Sequence, residues 1–232
     1  MKKVLSALTA AAVLTVATGA MAGVVGSKHD LSATGPQTVY RTNTQQVCVF
    51  CHTPHNSKET RALWNRNNPA ASNFKLYTSG VWAEQDSWFV SGNKTVLASD
   101  SPSLMCLSCH DGSSLTTVKN KPKDVASLTI SSDTLGNNPS NLSTDLTNDH
   151  PINIKYDLYQ AGTRYDSTNP ATATLRASVG GFVSNGTGIS LPLAKQVSVE
   201  CNTCHNVHDP SFVPFLRGTM ANSALCTTCH LK

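Results

Sequence analysis

Hydrophobic and polar positions are distributed unevenly along the chain. An apolar run from Val4 to Val16 follows Met1-Lys2-Lys3 and leads to Ala20-Met21-Ala22, the layout of a secretory leader over residues 1–22. No later stretch approaches the eighteen or so uninterrupted apolar residues of a membrane-spanning helix. The expectation is therefore an exported chain with no membrane span, whose mature part, residues 23–232, forms a single domain. From Gly23 to Gln46 the chain is polar. Asn43 to His52 then reads as a short helix stopped ahead of Pro54, because proline disfavours helical geometry in Thr53 before it. Aromatic positions gather next, with Trp64, Phe74, Tyr77, Trp82, Trp88 and Phe89. Ser101-Pro102 predicts a second helix start, an N-cap residue followed by proline, and Gly112 predicts its end. From Lys119 to Ser198 no amphipathic period survives. Ser, Thr, Asn and Gly, with Pro139, Pro151, Pro170 and Pro192, predict irregular backbone with a few short strands. Asn-x-Ser/Thr triplets at Asn93, Asn141 and Asn185 match a glycosylation acceptor, a weak pattern that carries no argument.

The cysteines change this picture. All eight fall into four copies of Cys-x-x-Cys-His: Cys48 and Cys51 with His52, Cys106 and Cys109 with His110, Cys201 and Cys204 with His205, Cys226 and Cys229 with His230. This is the pattern of covalent c-type haem attachment. Two thiols three positions apart can add to the two vinyl groups of one haem, and the adjoining imidazole then lies against the iron. Zinc is the competing reading, since Cys201 to Cys229 has the spacing of a zinc ribbon. Zinc, however, needs no histidine after each second cysteine, and every copy here has one. Export fits too, because thiol pairs outside the cytosol otherwise oxidise to disulfides. For a cofactor-laden chain the polar inserts are expected as ordered loops, and the aromatic rings as packing around haem.

Eight histidines are present; the four motif imidazoles leave His29, His55, His150 and His208. Four irons need four more axial ligands. Methionine would serve, raising the potential, but only Met105 and Met220 lie outside the leader, and Met105 directly precedes an attachment cysteine. The simplest assignment is four low-potential haems with two histidines each and no histidine spare. His150 stands between Asp149 and Pro151, where the acid could orient its ring. Two motifs are extended to Cys-x-x-Cys-His-x-x-His, at His52 with His55 and His205 with His208. On a helical turn, residues three apart share a face, so the second histidine would bind a different iron from the first. Charge changes little: the formal +4 falls to about +2 without Lys2 and Lys3, and ferric haems of roughly −1 each make the loaded protein mildly acidic. Nothing suggests nucleic acid.

With these residues in view, the chain resembles the extracellular tetrahaem cytochromes of metal-reducing bacteria. The resemblance runs through Ser27-Lys28-His29-Asp30, Cys48 to His55, Met105 to Gly112, His150-Pro151, Cys201 to Asp209 and Leu225 to His230. It implies a mostly irregular multihaem cytochrome c with short helices at the motifs, few short strands and a haem chain as core. It also implies head-to-tail polymerisation into a cell-surface filament that passes electrons to minerals, other cells or redox proteins. His29 and His150 would be distal ligands within the subunit, to the haems at His52 and His110 respectively. His55 would ligate a haem in the C-terminal pair of the adjacent molecule. Two alternatives stay open: a monomeric periplasmic electron shuttle, and a multihaem reductase. The reductase needs an open iron position, which the histidine count closes, so an electron carrier and not an enzyme is expected.

Overall fold

The computed structural model describes residues 23–57, 61–77, 97–156, 174–176 and 178–231. The expected leader, Trp82, Trp88 and Phe89 lie outside the described residues. Among the described residues no helix is long and apolar enough to cross a membrane.

Three α-helices occur among the described residues: α1 over Ser103–His110, α2 over Cys201–Cys204 and α3 over Ala224–Cys229. The first starts where Ser101-Pro102 predicts, with Pro102 as the half-in residue and the Ser101 hydroxyl accepting the Ser103 amide at 3.2 Å. It stops at Gly112, whose φ of +89° is the left-handed conformation that favours glycine after a helix. Leu104 and Leu107, three apart on one face, pack with Phe74, Leu76, Leu97 and Leu146 into an apolar cluster.

The expected helix over Asn43 to His52 does not form; only a 3-10 turn at Cys48–Phe50 is present. The reason lies in the preceding polar residues. The carboxylate of Asp124 accepts the Thr44 hydroxyl at 2.6 Å and the Gln45 amide at 2.7 Å, while Thr44 Oγ1 accepts the Gln46 amide at 3.1 Å. Side-chain acceptors thus capture amides that a helix would turn inward.

The strands are two or three residues long. β1 (Lys75–Leu76) runs parallel to β2 (Asp145–Leu146). β3 (Ile154–Lys155) and β8 (Ser198–Val199) are antiparallel, as are β4 (Thr174–Leu175) and β9 (His230–Leu231). β5 (Ser178–Val179), β6 (Phe182–Ser184) and β7 (Ser190–Pro192) form a meander. Its first turn is Gly180-Gly181, both at positive φ as a two-residue hairpin requires. Ile154, Tyr156, Val183, Leu193 and Val199 make a second apolar cluster behind these pieces.

Strands this short cannot hold a fold together on their own, and polar side chains take over part of that role. Eight times among the described residues an Asp or Asn side chain accepts the amide two residues on: Asp30 to Ser32, Asp111 to Ser113, Asn138 to Ser140, Asn141 to Ser143, Asp145 to Thr147, Asn185 to Thr187, Asn206 to His208 and Asp209 to Ser211, and in all but the His208 case the donor residue is Ser or Thr. These Asx turns satisfy loop backbone locally. Two of the three glycosylation-like triplets, at Asn141 and Asn185, are turns of this kind.

Candidate functional site

Each motif sits on one turn of helix, and the turn brings its two sulfurs together. The amide of His52 donates to the Cys48 carbonyl at 2.8 Å, and that of His205 to the Cys201 carbonyl at 3.0 Å. The helical turn does not continue through the histidines of the last two motifs. His205 is extended at φ −108°, ψ 140°, and His230 at φ −88°, ψ 125°. His205 and His208 therefore do not share a helical face, which corrects the geometry expected for the Cys-x-x-Cys-His-x-x-His segments. All eight cysteines are free. Among the described residues, no group of three or more His, Cys, Asp or Glu is gathered around a metal-sized point.

Three of the four motif imidazoles are oriented by a backbone carbonyl from a different segment. His52 Nδ1 bonds the Ala62 carbonyl, His110 Nδ1 that of Ser140 at 2.7 Å, and His205 Nδ1 that of Pro214 at 2.9 Å. A carbonyl only accepts, so Nδ1 carries the proton and Nε2 keeps its lone pair. This is the arrangement that fixes the tautomer of a metal-ligating histidine. Two of the carbonyls are presented by unusual backbone: Ala62 has φ +55°, and Phe215, next to Pro214, has φ +59°. Such residues cost of order 1–3 kcal/mol each. No signal in the sequence marks them.

Two pairs of histidine rings face one another. His52 and His208 lie with ring centres 6.0 Å apart at 22°, and His29 and His110 with centres 6.0 Å apart at 89°. Two metal–imidazole bonds of roughly 2.0–2.1 Å on opposite sides of one ion, plus about an ångström from nitrogen to ring centre, separate the centres by about 6 Å. Both separations are of the size that two imidazoles on one iron would give. His29 is half-buried, its Nδ1 is shielded from solvent and has no partner among the described residues, and Phe215 stacks on it at 4.5 Å and 23°. Burial, reinforced by His110, His205 and His208, lowers its pKa to about 4, which keeps the ring neutral. His208 is lowered as well, by burial and then by His52. Trp64 stands edge-on to His52 at 5.8 Å.

The pairing differs from the one expected: His29 faces His110, not His52, and His208 takes the place against His52. His150 does not meet His110; it is exposed, with Nδ1 on the adjacent Pro151 carbonyl at 3.0 Å. His55 is exposed too, and its own carbonyl accepts Thr53 Oγ1 at 2.9 Å and Asn120 Nδ2 at 3.2 Å. His230 opens β9, held opposite Leu175.

Cysteines of successive motifs act on one another. Burial pushes the Cys51 thiol up to about 12, with Cys109 of the second motif adding to it. Cys106 of that motif is hydrogen bonded to Cys201 of the third. Cys204 is pushed up to about 11 by burial and then by Cys229 of the fourth. Between the second and third motifs Glu200, 2% exposed, clamps α1 to α2: its Oε2 accepts the Ser101 hydroxyl at 2.8 Å and the Ser103 hydroxyl at 2.5 Å. At the fourth, buried Tyr156 bonds Cys229 and donates to the Arg176 carbonyl at 2.8 Å.

The doubled CXXCH motif family matches residues 192–232, the stretch that carries the third and fourth motifs. The match marks this stretch as a region like those of multihaem c-type cytochromes, with covalent haem attachment and, in broad terms, electron transfer as its chemistry. No curated protein matches the chain.

Proposed function

We propose, from that C-terminal match, that the whole chain is a tetrahaem electron carrier whose haems lie in a row in sequence order. The observation that carries this reading is the pair of ring separations, 6.0 Å at His52–His208 and 6.0 Å at His29–His110. A haem supplies the one-electron chemistry; the chain supplies thioether anchors, neutral imidazoles and the carbonyls that aim them. His208 and His29 complete the first and second sites. His150 completes the third: its segment leads into β3, which pairs with β8 and so runs beside the strand entering α2. That leaves His55 and the fourth site, at His230.

His55 is exposed and shares no ring contact with another histidine among the described residues. A bond from it to the fourth haem of an adjacent copy is a contact between unlike surfaces, and such contacts propagate as filaments unless their rotation closes a ring. The function proposed is thus extracellular electron conduction along a head-to-tail polymer, resembling the filament-forming tetrahaem cytochromes of metal-reducing bacteria, with haems filling space between the two apolar clusters. Intact mass of the exported protein tests the haem count, and electron microscopy of shed material tests the polymer. Four haem masses on filaments support the reading. Four haems on a globular monomer favour a periplasmic shuttle, and a high-spin ferric haem that binds cyanide favours a reductase.

A further inference from the structure

Arg66 is a buried cation that the haem ligands do not use. It is 2% exposed. Its guanidinium donates through Nε to Ser108 Oγ at 3.2 Å, through Nη1 to the Leu115 carbonyl at 2.8 Å, and through Nη2 to the carbonyls of Ser108, at 2.8 Å, and Ser114. All four acceptors are neutral, and among the described residues Arg66 makes no ion pair. Hydrogen bonds of this kind solvate a guanidinium without cancelling its charge, and in a low-dielectric interior an uncancelled charge acts strongly on its neighbours.

Those neighbours are the first two attachment sites. Ser108 directly precedes Cys109, and the amide of Asn65 donates to the Cys51 carbonyl at 2.9 Å. The cation therefore acts on the second sulfurs of both motifs, the atoms through which each haem would be anchored. The anion that acts on it is Asp133, whose carboxylate accepts the Ser114 hydroxyl and the Thr116 amide and hydroxyl; it is partly exposed, so water screens it and it offsets the cation only in part. Around the later motifs the balance differs. Arg217 and Arg176 are only partly buried, so water screens them, while Cys201 follows the buried carboxylate of Glu200.

We infer that Arg66 sets reduction potential: its buried charge stabilises an added electron on the haems anchored through Cys51 and Cys109, making the N-terminal pair the electron-favouring half of the row. This rests on the tetrahaem reading. An electron arriving at the C-terminal pair then moves energetically downhill toward the N-terminal pair, which gives the row a direction within each subunit.

The test is a redox titration of the full haem-loaded protein, with four midpoints resolved by NMR of the haem methyl groups, on R66Q and on D133N. Removing the cation lowers two midpoints and leaves the other two in place. Removing the anion that acts on it raises the same two. Opposite shifts on one pair of haems establish the electrostatic role, which lost hydrogen bonds alone would not produce. If R66Q fails to retain haem, D133N decides by itself, because asparagine keeps an acceptor for Thr116. Unmoved midpoints in a four-haem D133N protein overturn the inference and leave the tetrahaem reading intact; a native chain with fewer than four covalent haems overturns both.

Discussion

At the scale of single residues, the histidine count identifies the candidate ligands but not their partners. His29 stands out in the sequence only because four irons need eight imidazoles; that it meets His110, far along the chain, depends on how the loops fold. His29→Ala is expected to leave the haem at Cys106 and Cys109 high-spin, and His208→Ala the haem at Cys48 and Cys51. Magnetic circular dichroism distinguishes these outcomes, and unchanged low-spin spectra would return both residues to a structural role. Acid adds a second test. Burial depresses both imidazoles below the ordinary value of 6.5, His29 to about 4. A histidine with a depressed folded-state pKa contributes stability that is full above 6.5 and is lost as pH falls through the folded value. A protonated ring cannot ligate, so the haem at His52, whose distal His208 is the less buried, should turn high-spin first on acidification. The haem at His110 should hold to a lower pH than the haem at His52. Simultaneous release would contradict the assignment.

At the scale of elements, the sequence indicates α1 well, because serine, proline and glycine mark its two ends. The helix expected over 43–52 fails where Asp124, distant in sequence, holds the Thr44 hydroxyl and the Gln45 amide, and Thr44 itself takes the Gln46 amide. Glu200 is equally hidden from a sequence reading: an ordinary acidic residue before a motif proves to be a buried clamp between two motif helices. Glu200→Ala leaves two hydroxyls and an amide without their acceptor, each worth about 1–3 kcal/mol when buried, so a clear drop in Tm is expected. Glu200→Gln behaves differently. Burial raises the carboxyl's pKa, partly offset by Ser103 and Ser101, so the protonated form fits the folded state best. Stability from this group is present below the unfolded pKa and lost as pH rises through the folded one. Calorimetry should therefore find E200Q at least as stable as the native protein at pH 7, with the advantage disappearing near pH 4; an E200Q as damaged as E200A would show that charge, not hydrogen bonding, matters there. Seven of the eight Asx turns were present in the sequence as Asp/Asn-x-Ser/Thr, and two of them coincide with the triplets read as glycosylation acceptors.

At the scale of the whole molecule, two small apolar clusters and paired strands of two or three residues support a chain whose eight cysteines and eight histidines are its main organising groups. The order of the motifs is plain from the sequence. Their arrangement in a row becomes visible only through contacts such as Cys106 with Cys201. In the proposed polymer the junction is His55, so His55→Ala should give fragile or absent filaments with one high-spin haem per subunit; intact, wholly low-spin filaments would refute the junction. The central proposal is that single irons lie between the two histidine pairs the fold has brought together. An anomalous-scattering map at the iron edge, from the haem-loaded protein, tests it most directly. Four iron peaks per chain are expected, one between His52 and His208 and one between His29 and His110; fewer peaks, or either ring pair with no iron between its members, would refute the assignment.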